Sequence, residues 1–157
     1  MTLTHIDPLF DKVNTIGGII VALFSFVFGE HWVLFVGFLL LNVCDYFTGC
    51  LKSRLNSKIN SGKGLHGILK KLGYWIMIMV AFGMSVMFIE IGMVVGIDLH
   101  ITTLIGWFVL AALIVNEFRS IIENLVECGY NVPNILVKGL EIADKAIEAV
   151  EDELDDD

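Results

Sequence analysis

This chain is short of charge for its size. Asp, Glu, Lys and Arg make up 18% of its 157 residues, against about 25% in a soluble domain. Its hydrophobic share is 56% and its mean hydropathy +0.78, which excludes water as the solvent for most of its surface. Catalytic patterns are lacking as well: there is no HExxH, no paired cysteines and no glycine-rich phosphate loop following a strand. The four histidines, His5, His31, His66 and His100, are scattered. Glu30 with His31, and Asp98 with His100, could meet as a metal pair, but solvated turn residues are the simpler reading. Cys44, Cys50 and Cys128 fit no zinc spacing and read as small buried or interfacial side chains. An enzyme, a resident metal, a cofactor and a nucleic-acid partner are therefore not expected.

Acid is missing altogether from Lys52 to Lys71, a 20-residue segment holding Lys52, Arg54, Lys58, Lys63, Lys70 and Lys71, six of the ten basic residues. Long apolar runs flank it. Val13 to Phe28 has 16 residues, Trp32 to Leu51 20, Leu72 to Ile97 26 with Glu90 inside, and Ile101 to Val115 15. About 20 such residues cross a bilayer core of about 30 Å as a helix, and helices or closed barrels alone satisfy their backbone against lipid. The expected fold is an all-α integral membrane bundle of four transmembrane helices, or three if residues 13–28 lie in the interface. The last span lengthens if its helix continues through Asn116. Lys and Arg beside a span resist translocation, so the basic segment 52–71 is expected to be a cytoplasmic loop, with both termini on the same side. Residues 1–12 then form a cytoplasmic N-terminus, 13–128 the membrane domain and 129–157 a linker and tail. The first run ends in Phe26, Val27, Phe28 and Gly29 without a small-x-small cleavage pattern, so it is expected to stay attached.

Beyond the last span, Phe118, Ile121, Ile122, Leu125 and Val126 recur at helical spacing, and Gly129, Asn131 and Pro133 mark a stop and a turn. A second amphipathic helix follows. Its seam, Leu136, Leu140, Ala143, Ile147, Val150 and Leu154, alternates spacings of four and three over three heptads, the pattern of helix pairing. Nine acids between Asn134 and Asp157, against Lys138 and Lys145, make it unlike a basic lipid-surface anchor. It should pack on protein, either a second copy or its own bundle.

Polar residues inside apolar runs are expensive, about 2.5–3.5 kcal/mol for a charge near the centre of a spanning helix. Asp45 lies seven residues before Lys52, about 10 Å along a helix. It must be protonated or face protein or water, either as a subunit or pore contact or in a structural pair with Lys70 or Lys71. Asn116 and Glu117 lie at the inner end of the last span. Gly92 with Gly96, and Ala81 with Ser85, form small-xxx-small pairs that permit close helix approach and association.

Three short motifs recur in a telling order. Asp45-Tyr46-Phe47-Thr48-Gly49 ends a span, Gly64-Leu65-His66-Gly67-Ile68-Leu69-Lys70-Lys71 closes the basic segment, and the last span runs into Asn116-Glu117-Phe118-Arg119-Ser120-Ile121-Ile122-Glu123-Asn124, then Gly129 and Pro133. Over about Val36 to Leu154 this resembles the toxin-secretion and phage-lysis holin family of Gram-positive bacteria and their phages. The resemblance implies a cytoplasmic-membrane homo-oligomer that opens a lesion in the lipid bilayer, with an endolysin or a protein toxin as cargo. It makes Asp45, Gly49, Gly67, Lys70, Lys71, Asn116, Glu117, Ser120, Glu123 and Asn124 candidates for holding subunits together. The acidic tail departs from the lysine-rich tails common in such proteins. Two other classes fit the residues: a small ion or solute channel or transporter, and a non-pore membrane adaptor or antiholin. Phage or toxin-locus origin, subunit number and trigger do not follow from the residues.

Overall fold

The computed structural model describes residues 14–19, 21–22, 29–56 and 61–155. Every regular element among them is helical. A 3-10 turn, Gly29–His31, leads into α1, Trp32–Leu55. Then come α2, Ser61–Val95, a second 3-10 turn, His100–Thr102, α3, Thr103–Glu127, and α4, Asn134–Asp155.

Three stretches among the described residues are long and apolar enough to cross a membrane: Gly29–Leu55, Gly64–Val95 and His100–Glu127. Their surfaces agree. Met79, Met87 and Val94 are 67%, 68% and 86% exposed, an outward apolar surface that lipid, not water, would cover. Of the first apolar run, 14–19 and 21–22 are helical, and the rest lies outside the described residues. So does the N-terminal segment 1–12.

The basic segment is helical at both ends rather than a loop throughout. Lys52 and Arg54 occupy the last turn of α1, and Lys63, Lys70 and Lys71 belong to α2. Lys and Arg are good helix formers, so the helices outrun the apolar runs on which the sequence boundaries were set. Lys58 lies outside the described residues. The same continuation carries α3 without a break from Thr103 past Asn116 to Glu127.

Two glycines with positive φ stop helices. At Gly129 (φ 86°) the amide of Gly129 donates to Val126 O (2.9 Å) and that of Tyr130 to Leu125 O (3.0 Å), the paired bonds of a Schellman ending. At Gly96 (φ 77°) the Ile97 amide reaches back to Gly92 O (2.9 Å). The Gly92/Gly96 pair therefore lies not along one helix face but across the end of α2. A Cβ on Gly92 would stand 2.4 Å from Ile97 O, so Gly92 makes room for the chain to turn. Gly92→Ala is expected to loosen this turn and destabilise the protein by about 1–3 kcal/mol, and Gly96→Ala by about 1–2 kcal/mol. Thermal unfolding in detergent checks both.

The chain forms two compact units, Met1–Leu40 and Leu41–Asp157. In the first, Phe35 and Phe38 are buried. In the second, α2 packs on α3 around Tyr74, Ile78, Ala81, Leu110, Leu113 and Val115. Gly106 packs tightly against the Phe82 ring, which meets Trp107 edge-on at 5.0 Å. The second small pair also serves the chain's interior. Ser85 is 2% exposed, and its hydroxyl lies 2.6 Å from Thr102 O and 3.0 Å from Ala81 O, tying α2 to the turn before α3.

The tail helix α4 packs along α3, with Arg119 ion-paired to Asp144. Its seam residues Leu140, Ala143, Ile147 and Val150 are half-buried, whereas Leu136, Ile135 and Ile142 are exposed. The side chain of Leu154 lies outside the described residues.

Candidate functional site

Three helices contribute polar residues at spacings that keep them on one face. On α1 these are Asp45, Thr48 and Lys52; on α2, Lys71 and Tyr74; on α3, Glu117, Asn124 and Glu127. Steps of three, four and seven residues return to the same side of an α-helix. Each helix thus carries a polar stripe toward one end, in α1 and α2 the end that runs into the basic segment.

The stripes meet at Lys71. Its ammonium stands 2.8 Å from Asp45 Oδ2 and is also hydrogen-bonded to Glu117 Oε2. One cation thereby joins α1, α2 and α3 and serves two carboxylates. Glu117 is 1% exposed, and the side chains of Lys71 and Asp45 only 14% and 17%. Charges this far from water persist only when paired and hydrogen-bonded. The second oxygen of Asp45 accepts from Asn124 Nδ2 (2.9 Å), which also approaches Thr48 Oγ1 (3.3 Å). Thr48 in turn donates to Asp45 O (3.0 Å).

Two weaker ties flank this centre. On one side Asn116 Nδ2 donates to the Tyr74 hydroxyl (3.0 Å), and the Lys70 ammonium stands 5.6 Å from the centroid of the Tyr74 ring. On the other, Lys52 and Glu127 bridge the ends of α1 and α3 at 3.0 Å. That pair is exposed, and such pairs contribute at most about 1 kcal/mol.

Of the residues singled out in the sequence, Asp45, Lys71, Glu117 and Asn124 come together directly, and Asn116, next to Glu117, bonds Tyr74 instead. Gly49 sits opposite Asn124, whose Nδ2 would be 3.7 Å from a Cβ there. Ser120 is half-buried and lines a cavity beside the cluster. Glu123 points away and is exposed, while Gly92 and Gly96 lie at the far end of α2. The choice between Lys70 and Lys71 as partner of Asp45 falls to Lys71. Tyr74 and Glu127 were not recognised from sequence, although Lys71/Tyr74 and Asn124/Glu127 keep the same three-residue helical spacing as Asp45/Thr48.

At the opposite end, His100 Nδ1 is 2.7 Å from Asp98 Oδ1, which also accepts from the His100 amide. These bonds, the amide's first, hold the Asp98 carboxyl below its usual range. Among the described residues no three His, Cys, Asp or Glu side chains gather as a metal site.

Apolar helices joined near one end by a buried ion-paired layer define a multi-pass membrane protein. Its family follows from comparison: residues 22–145 match the bacteriophage holin family, and the chain belongs to it. This is a non-enzymatic family of membrane proteins, which places the chain in the cytoplasmic membrane. It is 32% identical over 124 residues to the uncharacterized protein BH0965 of Halalkalibacterium halodurans, covering 79% of this chain and 87% of that one. It is 31% identical over 115 residues to the uncharacterized protein Lmo0128 of Listeria monocytogenes, covering 73% and 74%. A protein of Listeria innocua, Lin0175, matches to the same extent. No solved structure matches.

Proposed function

We propose that this protein accumulates and oligomerises in the bacterial cytoplasmic membrane and opens lesions that release an endolysin or a protein toxin. The observation that carries this reading is the layer built on Asp45, Lys71, Glu117 and Asn124. A lesion needs polar surface that appears only on assembly, and in the single chain this surface is turned inward and satisfied. Separation of the helices in a ring of copies exposes the same groups to water, where they no longer need one another. Gly49, Asn116, Ser120, Lys52, Lys70 and Lys71 then lie at or beside the changing contacts. The basic segment faces the cytoplasm with the acidic tail.

Induced expression tests the reading in a bacterium carrying a cytosolic reporter enzyme and a muralytic enzyme without a signal sequence, with membrane potential, reporter release and turbidity followed together. The expected result is abrupt collapse after a silent delay, with both enzymes escaping. Loss of potential without enzyme release would mean a small channel. No loss at high membrane abundance would mean an adaptor or an inhibitor.

Asp45→Asn keeps a partner for Asn124 but removes one of the two charges on Lys71. It is expected to insert normally and to open earlier than the parent protein. Unchanged timing at equal protein levels would count against a role for this layer in opening.

A further inference from the structure

Beside the polar layer, between the end of α1 and the start of α2, lies an open cavity of about 680 Å³. That is within the roughly 300–1,000 Å³ typical of small-ligand sites. We propose that this cavity binds the phosphate headgroup of an anionic phospholipid. The inference concerns a binding site and does not depend on the lesion-forming reading.

Shape, charge and position support it. Gly64 and Gly67 have no atom within 4 Å of where a Cβ would stand, so the wall of α2 is cut back to leave room. Arg54 lines the cavity and is exposed, with no ion pair among the described residues. Lys71 is committed to Asp45 and Glu117, and those carboxylates are answered by it. Lys52 also lines the cavity, but its bond to Glu127 is solvent-exposed, and such a pair is readily exchanged for another anion. Arg54 thus supplies a free planar donor set suited to phosphate, with Lys52 as its second cation.

A lipid rather than a free phosphate is favoured by where the cavity opens. It lies where the spans Gly29–Leu55 and Gly64–Val95 meet the basic segment, the level of the headgroups. Leu65 and Ile68 line it and are 59% and 50% exposed, an apolar flank for acyl chains that inorganic phosphate cannot use. Basic pockets between spanning helices are a recurrent way of holding anionic headgroups.

The test uses the full-length protein purified in neutral detergent, titrated with phosphatidylglycerol, phosphatidylcholine or inorganic phosphate while thermal unfolding is followed. A ligand that binds the folded state raises the melting temperature with its concentration. Phosphatidylglycerol is expected to do so saturably, and the other two are not. Arg54→Gln should weaken that effect about fivefold, and the double change with Lys52→Gln further. Gly67→Leu, which fills the cavity without removing charge, should abolish it while leaving unfolding in phosphatidylcholine cooperative. Equal shifts with phosphatidylglycerol and phosphatidylcholine would overturn the proposal, as would unaltered binding by Arg54→Gln and Gly67→Leu. An equal shift with inorganic phosphate would overturn the assignment to a lipid. A chain that binds phosphatidylglycerol yet releases no enzyme in cells would leave this site standing and refute the lesion.

Discussion

Replacing Lys71 with Met is expected to destabilise the folded chain by about 3–5 kcal/mol, the usual consequence of removing one partner from a buried ion pair. The loss is large because Lys71 serves two carboxylates. Without it Asp45 and Glu117 are like charges in a poorly hydrated layer, with Asn124 alone to answer Asp45. Lys71→Arg should be less damaging, since the charge is kept although the fork geometry differs. The decisive variant is the triple Lys71→Met, Asp45→Asn, Glu117→Gln. Neutralising both acids removes the unpaired charges, so most of the lost stability should return. Chemical or thermal unfolding in detergent, with membrane abundance in cells, measures this directly. If Lys71→Met alone unfolds like the parent protein, the ion-paired layer does not hold these helices together. If the triple variant recovers stability but opens at once, the charges serve timing more than folding.

Enlarging Gly106 is the second change with a large expected effect. A Cβ there would lie 2.7 to 2.8 Å from three atoms of the Phe82 ring, closer than carbon atoms approach without displacement. In most helices Gly→Ala is stabilising by up to about 1 kcal/mol. At Gly106 the sign should reverse, because the ring is fixed edge-on against Trp107 and cannot yield without disturbing the α2–α3 contact. Gly106→Ala is expected to destabilise by about 1–3 kcal/mol, and Gly106→Leu by more. Gly83→Ala, where no atom stands within 4 Å, provides the contrast and should be neutral or stabilising. Melting of the three variants beside the parent, with Trp107 fluorescence as the local reporter, decides it. Equal behaviour of Gly106→Ala and Gly83→Ala would show that the helices separate freely at this point.

How much of this was legible in advance varies from residue to residue. The cost of a carboxylate in hydrocarbon required Asp45 to face inward, and the sequence offered Lys70 or Lys71 as its partner beside a subunit or pore contact. Choosing between them required the rotation of α2, since neighbours on a helix differ by about 100° in direction. Glu117 stood at the inner end of the last apolar run, a position that by itself does not say how deeply a side chain is buried. The continuation of α3 and its packing against α2 put it among the most buried side chains. Gly92 and Gly96 carried the spacing of a helix-contact motif, but spacing is blind to φ. The left-handed conformation at Gly96 turned that motif into a helix ending.

The sequence by itself determined that the chain is helical, lives in lipid and carries a basic segment free of acids, because apolar length and charge placement act locally and do not depend on how helices are arranged. It also carried, in three short motifs, a resemblance to the family to which the chain belongs. Only the tertiary structure decided that one lysine binds two acids from different helices, that α4 lies along α3, and that an open cavity remains beside Arg54. Those outcomes depend on helix rotation and on which faces meet, and contacts between residues 46 and 79 positions apart leave no mark in local periodicity.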